Sequence, residues 1–277
     1  MKIEAFAKVN FTLEVFGRRP DGFHDLRSVV VPVSLADTLH IEIAGDISCD
    51  SGFADDLCVK AAEVLRKSCR CRDGAAIRVE KRIPVGGGLG GGSADAAATL
   101  LALNELWGLG MSREKLAAIG AEVGSDVPAL VAGGAVVMEG RGEKVRRLEL
   151  SPETCFHLVL VNPGVFCSTG EVYSRCRTRL HEDGLILYNM ISAMERGDYA
   201  AVGSALLNDL QESALELHPE IAAAMRALEE SGAGAVLMSG SGSTVFALVP
   251  NEARGREIAA LMEAKGFWAR SVRTVVR

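Results

Sequence analysis

The chain has 277 residues, of which 48% are hydrophobic and 24% charged, with a mean hydropathy of +0.19. This composition is typical of a globular protein with a large core and excludes an intrinsically disordered chain. Thirty Lys and Arg against thirty-six Asp and Glu give a net charge of −6. Proteins that bind nucleic acid or anionic membranes usually carry a basic surplus, so we expect neither kind of partner.

The N-terminus and the cysteines indicate a reducing compartment. Glu4 and Lys8 interrupt the apolar run that a signal peptide needs. Seven cysteines, an odd number at irregular spacing, are typical of free thiols. The one close pair, Cys69 and Cys71, has no second pair or histidine nearby to complete a zinc site. The sequence therefore predicts a cytoplasmic protein without a dedicated metal site.

The opening segment alternates with the period of a β-strand. Apolar residues from Ile3 to Val15 occupy one face, and Lys8, Asn10, Thr12 and Glu14 occupy the other. The same period predicts further strands, and a helical period predicts three helices in the first half. The strands are expected at 26–33, 39–43 and 76–83, and the helices at 55–67, 93–107 and 113–123.

The pattern changes near residue 150. The second half reads as strand 158–161, helices 171–179, 185–196, 199–207 and 219–230, strands 235–238 and 244–249, helix 252–265 and strand 268–276. This order resembles a ferredoxin-like (split β-α-β) unit with extra helices. We therefore expect an α+β fold with two domains, residues 1–150 and 151–277.

A glycine-rich turn lies between a predicted strand and a predicted helix. Six of the seven residues from 86 to 92 are glycine, and Ser93 is the expected helix N-cap. Glycines expose backbone N–H groups, and a helix N-terminus favours an anion. A flexible linker is the alternative, but linkers seldom adjoin so well patterned a helix. The turn therefore predicts a phosphate-binding loop.

Two familiar phosphate loops do not fit this turn. A Walker loop needs a lysine after its last glycine, and none is present. Residues 86–91 match Gly-x-Gly-x-x-Gly, but the acidic residue that a dinucleotide fold needs about 20 residues later is missing. The turn thus indicates phosphate binding without a Rossmann domain.

Four further signals are weak one by one. Lys8 and Asn10 lie on a strand, His24 follows a Gly-Phe turn, Asp126 lies in Gly-Ser-Asp-Val-Pro, and Ser239 begins Ser-Gly-Ser-Gly-Ser. Alone, these are typical of a solvated lysine, a surface histidine, a helix N-cap and a hairpin turn. Their order along the chain carries more information than any one of them.

In that order, and with the glycine-rich turn, the motifs resemble the GHMP family of small-molecule kinases (galacto-, homoserine, mevalonate and phosphomevalonate kinases). The resemblance implies the two-domain GHMP kinase fold, with ATP and substrate in a cleft and Mg²⁺ on the nucleotide. It also implies two catalytic residues. Asp126 would accept the proton of the attacking hydroxyl, and Lys8 would keep Asp126 ionised and stabilise the reacting oxygens.

The resemblance implies two binding sets as well. The ATP-binding residues would be Pro84, Val85, Gly86, Gly87, Gly88, Leu89, Gly90, Gly91, Gly92, Ser93 and Ala94. The turn Arg-Arg-Pro-Asp-Gly-Phe-His at 18–24 resembles those members whose small-molecule substrate bears cytidine diphosphate. For that substrate the implied residues are Asn10, Phe23, His24, Ser239 and Gly240.

In this resemblance His24 and Asn10 would hydrogen-bond the cytosine, and Phe23 would stack on it. Phe23 stands where a tyrosine is common, and Leu206 and Leu207 stand where such members commonly have a second aromatic residue. The expected activity is ATP-dependent phosphorylation of an alcohol that carries cytidine diphosphate. The alternatives are a homoserine- or mevalonate-type kinase of the family, a non-catalytic nucleotide-binding regulator and a dinucleotide oxidoreductase.

Overall fold

The computed structural model describes residues 1–52, 56–177 and 184–275. Within these ranges the strands form a seven-stranded and a four-stranded sheet. The strands are β1 (Lys2–Arg18), β2 (His24–Ala44), β3 (Ile47–Asp50), β4 (Gly74–Glu80), β5 (Val136–Gly140), β6 (Lys144–Arg147), β7 (His157–Asn162), β8 (Leu207–Asn208), β9 (Val236–Met238), β10 (Val245–Val249) and β11 (Trp268–Arg273). The helices are α1 (Leu57–Cys69), α2 (Gly91–Leu106), α3 (Arg113–Gly120), α4 (Val127–Ala132), α5 (Thr169–Arg175), α6 (Leu185–Glu195), α7 (Tyr199–Ala205), α8 (Gln211–Leu217), α9 (Pro219–Glu230) and α10 (Glu252–Ala264).

The larger sheet is built on the long antiparallel hairpin of β1 and β2. Its strand order is β3-β4-β2-β1-β8, and β5 pairs with the first part of β2 and with β6. The two strands predicted at 26–33 and 39–43 are a single strand, β2. The register shifts between the pairs Phe6–Ala36 and Lys8–Pro32, so the residues between the two predicted strands form a bulge within one continuous strand.

Both faces of β1 are buried along its central part. The predicted apolar face packs in the core, where Phe11 contacts Phe156 edge-on and stacks on Phe246. The polar face is also covered, and Lys8 and Asn10 are only 3% and 2% exposed. A buried lysine must be paired, so the reading of Lys8 as a solvated strand residue is wrong.

The smaller sheet has the order β11-β7-β10-β9, with every pairing antiparallel. Together with α9 and α10, this order is that of a ferredoxin-like unit, and α5 to α8 are the extra helices between β7 and α9. The predicted α+β architecture with a ferredoxin-like second half is thereby confirmed. The domain boundary at residue 150 stays a prediction, because β8 from the second half pairs with β1.

Six short elements were not predicted. β3, β5, β6, β8, α4 and α8 have two to seven residues each, a length at which a hydrophobic period is weak. The predicted start of helix 55–67 and the predicted ends of helix 171–179 and strand 268–276 lie outside the described residues. Within the described residues, α5 ends at Arg175. Over the described ranges, no helix is both long and apolar enough to cross a membrane.

One buried ion pair fixes the register of the central hairpin. Glu14 is fully buried, and both of its carboxylate oxygens accept hydrogen bonds from Arg27 on β2, at 2.8 and 2.9 Å. The two residues are register partners. Arg27→Met should lower the free energy of unfolding by about 3–5 kcal/mol, because it leaves a buried charge without a counter-ion.

Denaturant unfolding at neutral pH measures this effect. The double variant Glu14→Leu with Arg27→Met should recover most of the loss, because a buried pair replaced by apolar residues is often nearly neutral. A single variant that loses less than about 1 kcal/mol would mean that Glu14 is solvated or otherwise compensated in solution.

Candidate active site

A cavity of about 1380 Å³ is lined by both halves of the chain. Most of the residues predicted for the site lie on its wall. They are Lys8, Asn10, Phe23, His24, Pro84, Val85, Gly86, Gly87, Gly88, Gly90, Gly91, Gly92, Ser93, Asp126 and Gly240. The other three, Leu89, Ala94 and Ser239, are buried behind the wall. The structure therefore brings distant motifs of the sequence to one site.

Lys8 and Asp126 form the centre of this site. The Lys8 ammonium lies 3.4 Å from Asp126 Oδ2 and donates to Asn10 Oδ1 at 2.7 Å and to the Gly88 carbonyl at 3.1 Å. Asp126 occupies the N-cap position of α4, yet its side chain makes no capping hydrogen bond. The carboxylate instead faces Lys8 and the cavity, so helix capping does not account for this residue.

The glycine-rich turn needs its glycines for conformation and for close approach. Gly86, Gly88 and Gly90 have positive φ angles of 67°, 74° and 67°, which side chains rarely adopt. A Cβ on Gly88 would lie 2.1 Å from the carbonyl oxygen of Ser239, and one on Gly90 would lie 3.0 Å from Lys8 Cγ. The turn is therefore closely packed against Lys8 and cannot be a flexible linker.

The helix after this turn begins earlier than predicted. Gly90, in the left-handed conformation, is the N-cap of α2, and Ser93 lies in the first helical turn. The prediction that Ser93 caps the helix is therefore wrong. The first turn leaves backbone N–H groups without partners inside the helix, and a glycine N-cap leaves them accessible to an anion.

Ser239 and Gly240 support the glycine-rich turn from behind. The Ser239 hydroxyl donates to the Gly88 carbonyl at 3.0 Å. The Asn208 side-chain amide donates to the carbonyls of Met238 and Gly240 at 2.7 and 2.8 Å. β8 therefore fastens the turn between β9 and β10 to the larger sheet. Ser239 shapes the wall, and Gly240 forms part of it.

A further part of the cavity wall carries aromatic rings. The His24 imidazole lies 5.3 Å from the Tyr173 ring, centroid to centroid. Burial, and then the charge of Arg18, lower the pKa of His24, so the ring is neutral at pH 7 with one donor and one acceptor. Burial, and then the Asp126 carboxylate, raise the pKa of Tyr173. Its hydroxyl is therefore a neutral hydrogen-bonding group.

Tyr173 was not predicted from the sequence. It lies on α5, far from every motif, and only its position beside His24 in the folded chain gives it a role. It supplies a ring that Leu206 and Leu207 cannot supply. Four cationic side chains, Lys8, Arg18, Lys81 and Arg141, also line the cavity. Arg141 lies over the Phe23 ring, 5.3 Å from its centroid, and was not assigned a role.

Asn10 and His24 both line the cavity. His24 pairs with Arg18, eight residues from Asn10 on β1. The Asn10 side chain accepts from Lys8 and donates to Ser28 Oγ at 2.8 Å. The predicted contact of both residues with one cytosine stays a prediction.

A buried charged cluster lies beneath the start of α2. The Lys81 ammonium lies 2.5 Å from Asp37 Oδ2 and 2.6 Å from Asp95 Oδ2. Asp37 also accepts from the backbone N–H groups of Arg82 and Ile83. Burial raises the pKa of Asp95 to about 7 despite the neighbouring Lys81 ammonium, and the Asp37 carboxylate adds to the rise. Two carboxylates therefore share one cation.

The charged cluster generates a prediction about pH and stability. The pKa of Asp95 is raised from 3.8, so between pH 4 and 7 the folded state holds more protons than the unfolded state. The contribution of Asp95 to stability is thus present at low pH and is lost as the pH rises. Asp95→Asn should shrink the loss of stability between pH 5 and pH 8 by on the order of 1 kcal/mol or more.

Urea unfolding at the two pH values measures this change. Asp73→Asn, which alters an exposed carboxyl, is the matched control and should leave the pH dependence as it is in the wild type. An identical pH dependence in Asp95→Asn and the wild type would show that Asp95 is fully ionised in the folded protein.

Comparisons with known proteins agree with this geometry. Residues 56–134 match the family described as GHMP kinases N terminal domain, and residues 190–266 match GHMP kinases C terminal. A Brevibacillus brevis protein named 4-diphosphocytidyl-2-C-methyl-D-erythritol kinase is 40% identical over 266 residues, covering 93% of this chain and 90% of the relative. A protein of the same name from Exiguobacterium sibiricum is 42% identical over 264 residues, covering 92% and 91%.

Solved structures show the same relationship. A crystal structure of 4-(cytidine 5'-diphospho)-2C-methyl-D-erythritol kinase has a TM-score of 0.83 at 32% identity and covers 99% of both chains. A homoserine kinase from Cytophaga hutchinsonii has a TM-score of 0.76 at 17% identity, covering 100% of this chain and 94% of the other, which shows a shared fold alone. The chain therefore belongs to the GHMP kinase family and is an ATP-dependent kinase.

Proposed function

We propose that this kinase transfers the γ-phosphoryl group of ATP to the 2-hydroxyl of 4-diphosphocytidyl-2-C-methyl-D-erythritol, a step of the non-mevalonate isoprenoid pathway. The observation that carries the proposal is a single cavity lined both by the Lys8–Asp126 pair and by His24 beside Tyr173. The names of the relatives with about 40% identity support the same substrate.

The reacting end of the cavity suits phosphoryl transfer. Asp126, half-buried and ion-paired, would take the proton from the attacking hydroxyl. Hydrogen bonds to Asn10 and to the Gly88 carbonyl hold the Lys8 ammonium in place beside Asp126. It would keep the carboxylate ionised and offset negative charge on the transferring group. The glycine-rich turn would bind the ATP phosphates through backbone N–H groups, so positioning and charge do most of the catalysis.

Mg²⁺ fits this end of the cavity. Magnesium ions usually take one or two protein oxygens together with substrate phosphates. The Ser93 hydroxyl and the Asp126 carboxylate are oxygen donors on the wall beside the glycine-rich turn. When bound, Mg²⁺ would neutralise charge on the β- and γ-phosphates. We propose Ser93 and Asp126 as the protein groups nearest to it.

The aromatic end suits a cytidine diphosphate. A neutral His24 offers a donor and an acceptor to the polar edge of cytosine, and Phe23 and Tyr173 offer ring faces for stacking. Arg18 and Arg141 place positive charge beside these rings, where a diphosphate needs it. A homoserine- or mevalonate-type substrate, the alternative within the family, has no base for the rings to bind. A cytoplasmic location stays a prediction.

Asp126→Asn tests the proposed base. The amide keeps the shape of the carboxylate but cannot accept the proton, so kcat should fall about 10²–10⁴-fold. Equilibrium binding of ATP should change little. Asp50→Asn, at an exposed carboxylate outside the cavity, should leave kcat unchanged. A variant that keeps most of its kcat would remove Asp126 from the chemical step.

His24→Ala tests the proposed substrate. Loss of a buried hydrogen-bonding partner costs roughly 1–3 kcal/mol, so KM for the cytidine-bearing alcohol should rise about tenfold or more, while KM for ATP stays the same. Tyr173→Leu should act in the same direction by removing a ring. His40→Ala, on a histidine outside the cavity paired with Glu80, is the control. Equal KM values in His24→Ala and the wild type, or efficient turnover of an alcohol without cytidine, would refute the assignment.

A further inference from the structure

Two cysteines that are nine residues apart in the sequence meet beside the cavity, and one of them, Cys58, lines it. Cys49 lies on β3, and Cys58 lies in the first turn of α1. With Asp56, they form the one group of three potential metal-ligating side chains found in residues 1–52, 56–177 and 184–275. The two sulfurs and a carboxylate oxygen all lie within 4.8 Å of one another. The adjacent pair Cys69 and Cys71 belongs to no such group.

The geometry of the group is close to that of a thiophilic metal site. Zinc bonds of about 2.3 Å to sulfur and about 2.0–2.2 Å to oxygen place tetrahedral ligand atoms 3–4 Å apart. The three atoms of this group, all within 4.8 Å of one another, lie close to that range. A set of two sulfurs and one oxygen selects zinc over magnesium or calcium, which prefer oxygen alone.

The surroundings hold the group in place and leave one side open. Asp56 Oδ1 accepts from the backbone N–H groups of Cys58 at 2.6 Å and Val59 at 3.2 Å, which caps α1. Asp56 Oδ2 accepts from the Ser51 hydroxyl. Cys58, Asp56 and Ser51 also line the large cavity. A fourth ligand, such as water, can therefore reach a metal ion from the cavity.

The charge balance suits a divalent cation of this class. A thiol that coordinates zinc is deprotonated, so both cysteines would bind as thiolates. Two thiolates, a carboxylate and Zn²⁺ sum to −1, which the N-terminus of α1 stabilises.

We propose that Cys49, Cys58 and Asp56 bind one Zn²⁺ ion or another thiophilic divalent cation, with an open coordination position towards the cavity. This site is separate from the Lys8–Asp126 pair and from the residues proposed to hold Mg²⁺. It does not depend on the identity of the alcohol substrate.

Two measurements on the full chain test this site. Zn²⁺ is titrated into metal-free reduced protein in competition with a chromophoric chelator, and Co²⁺ is titrated separately while thiolate-to-cobalt charge-transfer absorption is recorded. The wild type should bind one equivalent of Zn²⁺ and show the charge-transfer band. Cys49→Ser and Cys58→Ser should each weaken Zn²⁺ binding roughly 100-fold or more, since even residues that only orient a ligand change affinity 10- to 100-fold.

The controls separate ligand loss from misfolding and from other thiols. Asp56→Asn keeps an N-cap acceptor for α1 and removes the carboxylate, so it should bind Zn²⁺ more weakly and still give a cooperative melt. The pair Cys69→Ser with Cys71→Ser should bind Zn²⁺ like the wild type. The proposal is overturned if the wild type binds no Zn²⁺, if the cobalt complex lacks the thiolate band, or if binding is lost only in the Cys69 and Cys71 variant.

Discussion

The active site depends on one buried ammonium group. Lys8 is almost fully buried and is held by three groups that come from different parts of the chain: the Asn10 amide on its own strand, the Gly88 carbonyl and the Asp126 carboxylate. A buried cation without partners costs several kcal/mol. The strand, the glycine-rich turn and the start of α4 are therefore constrained to meet at Lys8. The same ammonium joins the Asp126 carboxylate to the glycine-rich turn at the wall of the cavity.

The fold was predictable where the chain is regular. The strand predicted from the alternation in β1 and the helices predicted from long helical periods are present in the structure. The order of elements in the second half correctly predicted the ferredoxin-like unit. Short elements such as β8 and α4 were missed because they owe their structure to tertiary hydrogen bonds. β8 is two residues long and exists because it pairs with β1, and the Asp209 carboxylate beside it accepts from the backbone N–H of Val15.

The site was predictable where short motifs carry their own chemistry. The glycine-rich turn, Lys8 and Asp126 could be singled out because each lies in a distinctive local sequence. Tyr173 could not, because its role comes from contact with His24 across 149 positions of sequence. The predicted contact of Asn10 and His24 with one cytosine stays a prediction for a related reason. Local alternation shows which face a side chain occupies, but the distance between two residues along a strand decides whether one ligand can reach both.

The length of the hairpin of β1 and β2 determines how far apart the side chains that line the cavity lie. Lys8 lies near one end of the cavity-lining part of β1, and the turn that carries Phe23 and His24 closes the other end. In the proposed reaction, the number of strand residues and the bulges between Lys8 and this turn would set the separation between the reacting hydroxyl and the rings. A one-residue slip in this register would move every side chain of one strand to the opposite face. With the native register, substrates would be selected by their length as well as by their two end groups. The buried Glu14–Arg27 pair holds the two strands in that register.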